Sequence, residues 1–276
     1  MPYARRDDLS LYYERAGGGE PPMVFVPGWC CDAAFFQPQF DHFAAAHTVL
    51  AYDPRGCGRS DRPDGGYELT TLADDLAWLM AETGLAGAVV VGHSLGAMVA
   101  IEMAGRHPHL PLAVIADDPG PIDPLPETRR HFAEFAAAMS GPDGERARRD
   151  WVEAVADGTE GADLLRRIVE TMCSTPLPVA AAMIREVMAW DGVAALARCQ
   201  VPTLILRSAL GGSNEPARLL PHKADLRFGL TVGAGHFHQL EAADQVNPMM
   251  ERFLRTAGIV SPARRRGGSA ATAAAR

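Results

Sequence analysis

Short apolar runs alternate along this chain with segments whose apolar residues recur every three or four positions. The runs lie at Met23–Val26, 48–52, 88–91, 112–116, 203–206 and 226–232, and they are rich in β-branched residues. They are apolar almost throughout, which is the pattern of strands covered on both faces, as in a parallel sheet. Helical periodicity marks 33–46, 69–83, Leu95–Arg106 and 239–256. Strand and helix in turn predict a doubly wound, mostly parallel α/β sheet. Residues 9–16 add a candidate antiparallel edge strand.

The alternation stops between 121 and 197. Four helical stretches are expected there, near 126–140, 142–157, 161–173 and 177–190, punctuated by residues such as Pro124, Gly141, Pro142, Gly161 and Pro176. The expected organisation is an α/β core from 1–120 and 198–260, an inserted helical cap over 121–197, and a tail over 261–276. The tail is low in complexity and lacks apolar anchors, so disorder is expected.

Bulk properties narrow the possible partners. The chain has 276 residues, 47% of them hydrophobic and 22% charged, a balance typical of soluble globular proteins. A net charge of −8 argues against a nucleic-acid surface. No apolar run approaches membrane-spanning length and the first residues form no apolar signal core, so a cytoplasmic protein without a membrane partner is expected. The five cysteines match neither a disulfide framework nor a zinc site, which agrees with a reducing compartment. No metal or organic cofactor is implied, and the oligomeric state is not legible.

The chemistry centres on Gly92-His93-Ser94-Leu95-Gly96. Gly-x-Ser-x-Gly arises by chance in about one chain in ten of this length and composition, so its context must decide. Here it follows a valine run and precedes a helix. A serine on a sharp strand-to-helix turn projects its hydroxyl from the sheet, and only small residues fit two positions to either side. The helix also aims free backbone N–H groups at the serine's surroundings. A cap over 121–197 would cover this serine and shape a pocket beside it.

A serine nucleophile needs a base. Among nine histidines, His236 is best framed, in Gly233-Ala234-Gly235-His236-Phe237 directly after the last apolar run. The base in turn needs an acid. The loop 207–215 has no aspartate and offers only Glu215, whereas the run ending at Ala116 continues into Asp117-Asp118-Pro119. Neighbouring strand residues point to opposite faces, so only one of the two aspartates can face His236. Asp118, held extended before a proline, is preferred; Asp117 is second and Glu215 third. For an oxyanion, the donors expected are the backbone N–H groups of Leu95 and of Trp29 in Pro27-Gly28-Trp29-Cys30. Trp29, His93 and Trp190 are candidate pocket residues, and Trp151, Met172, Met183 and Met188 suggest an apolar pocket or simple packing. The stretch Asp53-Pro54-Arg55-Gly56-Cys57-Gly58-Arg59-Ser60 is expected to be a structural turn, with Asp53 and Arg55 in internal hydrogen bonds.

Taken together, the elbow, this turn and Gly235-His236 make roughly residues 10 to 257 resemble the α/β-hydrolase fold superfamily. The chain departs from the common pattern in two places: Pro27-Gly28 replaces the usual His-Gly, and the acid after the later strand is absent. Haloalkane dehalogenases and zearalenone-type lactonases carry their acid after the earlier strand, which falls on Asp118 here; Ser94 excludes the dehalogenase chemistry. The Pro27-Gly28-Trp29-Cys30 loop is similar to that of the cofactor-free dioxygenases of 3-hydroxy-4-quinolones, whose elbow carries a second histidine where Leu95 stands. The resemblance implies three alternatives. One is a Ser94–His236–Asp118 hydrolase of a small or medium, largely apolar ester or lactone. Another is a dioxygenase using only the His236–Asp118 dyad. The third is a ligand-binding protein on the same scaffold.

Overall fold

The apolar runs form the centre of one sheet. The computed structural model describes residues 2–156, 161–209 and 214–260, so the tail and the end of the helical stretch expected over 142–157 lie outside the described residues. Eight strands are described: β1 (Tyr3–Arg6), β2 (Leu9–Ala16), β3 (Met23–Val26), β4 (Val49–Tyr52), β5 (Ala88–His93), β6 (Pro111–Asp117), β7 (Thr203–Arg207) and β8 (Arg227–Leu230). Their order is β1-β2-β4-β3-β5-β6-β7-β8. The β1–β2 and β2–β4 pairs are antiparallel and the others parallel.

Period-2 side-chain alternation explains the continuous apolar runs. Val24, Val26, Leu50, Tyr52, Val90, Val114 and Ile205 enter the core on one face. Their neighbours Met23, Phe25, Val49, Ala51, Val89, Val91, Ile115, Leu204 and Leu206 enter a second core on the other. The first face is covered by α2 (Leu69–Glu82) and α3 (Leu95–Arg106), the second by α1 (Gln37–Ala44) and α11 (Ala243–Thr256). Each fully buried Val, Leu or Phe contributes about 1.5–3 kcal/mol relative to an exposed one, so both helical layers are held on by these strands.

Five helices connect β6 to β7: α4 (Pro126–Met139), α5 (Gly144–Val155), α6 (Ala162–Ser174), α7 (Leu177–Ala189) and α8 (Gly192–Arg198). Helices α4 to α7 pack on one another, whereas α8 packs against α3 of the core. Two short helices, α9 (Pro216–Leu219) and α10 (His238–Glu241), are also present among the described residues. No helix among the described residues is long and apolar enough to cross a membrane.

Several elements differ from expectation. The β1–β2 hairpin extends the sheet through Asp7, whose φ is +50°; of β1 only Ala4 is buried, so little apolar pattern marks it. The expected helix 33–46 begins as a 3₁₀ turn, Ala33–Phe36, because Pro38 sits in the first turn of α1. The expected helix 239–256 breaks at Ala242 (φ −124°, ψ 40°), separating α10 from α11. The last run is trimmed to β8, an edge strand whose Leu230 is 53% exposed. Helix α8 was not expected.

Candidate active site

Strand register brings the candidates together. β5 and β6 pair His93 with Asp117, so Ser94 and Asp118 leave the sheet on adjacent strands. Ser94 adopts φ +53°, ψ −117°, a left-handed backbone that a non-glycine residue holds only when its surroundings enforce it. The enforcing contacts are explicit. A Cβ on Gly92 would meet the Gly96 carbonyl oxygen at 2.2 Å, and one on Gly96 would meet the Val26 oxygen at 2.1 Å. Ser94 N–H donates to the Asp117 carbonyl at 3.0 Å, and Gly120 N–H donates to the Ser94 carbonyl at 3.2 Å, which ties the elbow to β6.

His236 and Asp118 are bonded, although Asp118 is not extended as expected before Pro119: it lies just past β6 with φ +40°, in the left-handed region. Nδ1 of His236 lies 2.6 Å from Asp118 Oδ2. Asp118 also accepts from Ser208 N–H at 3.0 Å and from the Ser208 hydroxyl at 3.0 Å. Burial opposes ionisation of this carboxyl, yet the hydrogen bond and charge of His236, together with His238 and the Ser208 N–H, hold its pKa well below the usual carboxylate range. An ionised carboxylate accepts, so Nδ1 carries the proton and Nε2 of His236 is left free to take one. Among the described residues the Ser94 hydroxyl has no hydrogen-bond partner, but Ser94 and His236 line one cavity. Catalytic bonds of this kind often tighten only around a substrate.

The other candidates separate cleanly. Asp117 faces away from His236, toward His238, whose Nε2 is 2.8 Å from Asp117 Oδ1. Glu215 pairs with Arg207 instead of approaching the histidine. His93 Nε2 sits 2.8 Å from the His236 carbonyl and must donate to it, leaving Nδ1 unprotonated. Burial, then the neighbouring charge of His236, pushes the His93 pKa well below the ordinary histidine value. Trp29 lines the cavity, and its indole N–H donates to the Ala180 carbonyl of α7 at 2.9 Å. Its loop abuts the elbow, because a Cβ on Gly28 would stand 3.3 Å from Ser94 Cβ. Leu95 opens α3, where the first N–H groups have no intrahelical acceptor. Trp190 is not among the cavity-lining residues; its indole N–H donates to buried Glu102 at 2.9 Å. Asp53 lies in the structural turn, but it bonds Ala33 and Arg59, while Arg55 pairs with Asp75.

Sequence reasoning missed two residues that shape the site. Ser208 occupies the loop after β7, where an acid was sought, and supplies donors to Asp118 from the adjacent strand. Asn214 bonds the Ile122 N–H and the Pro119 and Gly120 carbonyls, which fixes the chain leaving Asp118. The signal for Ser208 was its position: a polar residue at the end of β7, beside β6.

The cavity measures about 470 Å³. Phe132, Trp151, Met172, Ile184 and Val187 from the inserted helices form its apolar roof. Asp118 is the one charged side chain among its described lining residues besides the histidines, and no lysine or arginine is present there. Among the described residues no group of three His, Cys, Asp or Glu side chains could hold a metal ion.

Comparison with known proteins adds the context. The profile of the family described as alpha/beta hydrolase fold matches residues 21–177. A 2-(acetamidomethylene)succinate hydrolase from Mesorhizobium japonicum is 38% identical over 104 residues, which is 38% of this chain and 37% of that protein. The chain thus matches about two fifths of the length of such curated relatives. The crystal structure of the enol-lactonase from Burkholderia xenovorans LB400 superposes with a TM-score of 0.81 at 25% identity, over 92% of this chain and 99% of that one. Est816, described as an N-acyl homoserine lactone degrading enzyme, superposes with a TM-score of 0.78 at 25% identity, over 91% of this chain and 100% of that one.

Proposed function

The chain belongs to the α/β-hydrolase fold family, and from that premise we propose that it is a serine hydrolase of a neutral, largely apolar ester or lactone. The observation that carries this reading is the bonded His236–Asp118 pair opening into the same cavity as the elbow serine. In the proposed reaction, Nε2 of His236 takes the Ser94 hydroxyl proton while Oγ bonds the carbonyl carbon. The carbonyl electron pair moves to oxygen, facing the Leu95 and Trp29 N–H groups. Collapse breaks the carbon–oxygen bond of the leaving alcohol, which departs with the proton from His236. Water, deprotonated by the same imidazole, then cleaves the acyl-serine.

Substrate class follows from the lining. An anionic substrate would meet Asp118 and no described counter-charge, so the dicarboxylate named for the Mesorhizobium relative does not suit this cavity. The lactonases among the solved structures support a lactone or ester carbonyl as the reacting group, and neutrality is argued from the lining alone. A panel of uncharged aryl and alkyl esters and lactones tests the proposal. Turnover that Ser94→Ala reduces on the order of 10⁴-fold or more supports it; esterase activity that survives this change refutes it.

One observation favours a second reading. The dyad is formed while the Ser94 hydroxyl is unbonded, so Nε2 of His236 is free to take the proton of a ring hydroxyl, as in a cofactor-free dioxygenase. Oxygen uptake with a 3-hydroxy-4-quinolone that survives Ser94→Ala supports this alternative, and no uptake removes it. A ligand-binding protein on this scaffold would show neither activity and no labelling of Ser94 by a phosphonate.

A further inference from the structure

Two consecutive residues at the tip of β6 each meet a histidine, and the two histidines are themselves two positions apart. Asp118 turns into the cavity toward His236. Asp117 turns the other way, into the protein, toward His238. Both Asp117 and His238 side chains are fully buried. Their 2.8 Å contact is not aligned as a directed hydrogen bond, and among the described residues neither Asp117 carboxylate oxygen has a hydrogen-bond partner. The imidazole is therefore the charge partner of a carboxylate sealed from water, and a lone buried charge would be strongly unfavourable.

The pair joins the two segments that carry the dyad. Asp117 ends β6, one residue before Asp118, and its carbonyl accepts from Ser94 N–H. His238 opens α10, two residues after His236, and its Nδ1 lies 2.9 Å from Thr231 Oγ1, beyond the end of β8. The same loop is stitched again where Gly235 N–H donates to Glu241 at 2.6 Å. We propose that Asp117 and His238 form a second acid–imidazole pair that positions the His236–Asp118 dyad, clamping the β6 tip to the histidine loop from behind. Neither residue lines the cavity, so both are positioning residues. The electrostatics agree. Burial disfavours charge on His238, but Asp117 beside it, with Asp118 and Glu241 further off, raises its pKa above the ordinary histidine value. The His238 charge in turn helps keep Asp118 ionised.

This inference rests on the hydrolase reading for its kinetic consequence, while its structural consequence can be read without turnover. The test uses the full chain with ¹⁵N-labelled histidine. Asp117→Asn/His238→Gln removes both charges together and so leaves no buried ion unpaired. Thr231→Val, close in volume, removes the Nδ1 partner together with one long bond from the hydroxyl to the Arg207 carbonyl, and serves if the double variant fails to fold. In the folded variants the far-downfield proton resonance of His236 Nδ1–H, assigned by its loss in Asp118→Asn, should shift or broaden. With an aryl ester, kcat should fall about 10- to 100-fold in the double variant and less in Thr231→Val, the scale of a misplaced catalytic group. KM should stay within about twofold, because no substrate contact changes. A folded double variant, or failing that a folded Thr231→Val, with wild-type resonance and wild-type kcat overturns the proposal. A shifted resonance in a protein whose wild type hydrolyses nothing would uphold the clamp and refute the hydrolase reading instead.

Discussion

At the scale of single residues, the account turns on which proton sits where. His236 donates from Nδ1 to Asp118, so Asp118→Asn should present the imidazole with the wrong partner. Its kcat should drop about 10³- to 10⁴-fold in ester hydrolysis with KM little changed, and much further than in Asp117→Asn. Stopped assays of the two variants side by side, each with its fold verified, check this order; equal losses in two folded variants would contradict the assignment of the acid. Asp118 is held ionised well below the usual carboxylate range, so its own protonation should add nothing to the acid limb of kcat/KM. His93 carries a stability prediction. Its folded pKa is depressed, so the unfolded chain binds its proton first as pH falls below about 6.5, and stability declines with acidification at up to about 1.4 kcal/mol per pH unit. Melting temperatures between pH 5 and 7 should therefore fall less on acidification in His93→Asn than in the wild type. His238 works in the opposite sense: its raised pKa adds stability below about 6.5 that is lost at higher pH.

At the scale of elements, the elbow between β5 and α3 is the part most tightly determined. Its glycines are set by backbone contacts close to 2 Å, which cannot yield as a flexible side chain would. Gly96→Ala should cost at least about 1–3 kcal/mol in urea unfolding, and it should displace Ser94 so that hydrolysis falls as well. This element was legible in the sequence because one local pattern encodes it: valines, glycine, serine, glycine, helix. The acid was only partly legible. Strand alternation predicts that Asp117 and Asp118 face opposite ways, and they do, although Asp118 has already left β6 with φ +40°; it does not tell which way His236 lies, because that depends on the loop after β8. Trp190 illustrates the same limit. Its spacing suits a pocket wall or a packing residue, and only the fold reveals Glu102 as its partner. The break at Ala242 was hidden because α10 and α11 share one continuous apolar pattern.

At the scale of the molecule, the mostly parallel sheet presents the serine and the dyad past the ends of its interior strands β5 and β6, and the inserted helices roof them. The core was readable because continuous apolar strands send apolar side chains to both faces and so need two covering layers. The cavity was not, because its walls come from α4, α5, α6 and α7 together with the loops after β3, β6 and β7. Trp151 is central to that roof, stacked on Phe135 with ring centroids 4.0 Å apart. Trp151→Ala should widen the cavity and raise kcat/KM for a bulky acyl ester relative to acetate by roughly tenfold, the scale of one or two methylenes in an apolar pocket. An unchanged ratio would remove Trp151 from substrate selection. Whether His236 and Asp118 make Ser94 a nucleophile is read from the rate at which an uncharged phosphonate ester modifies the protein, with the adduct located by peptide mass. A single adduct on Ser94 is expected, formed quickly by the wild type and orders of magnitude more slowly by His236→Asn. An adduct elsewhere, or equal rates for the two proteins, would contradict it.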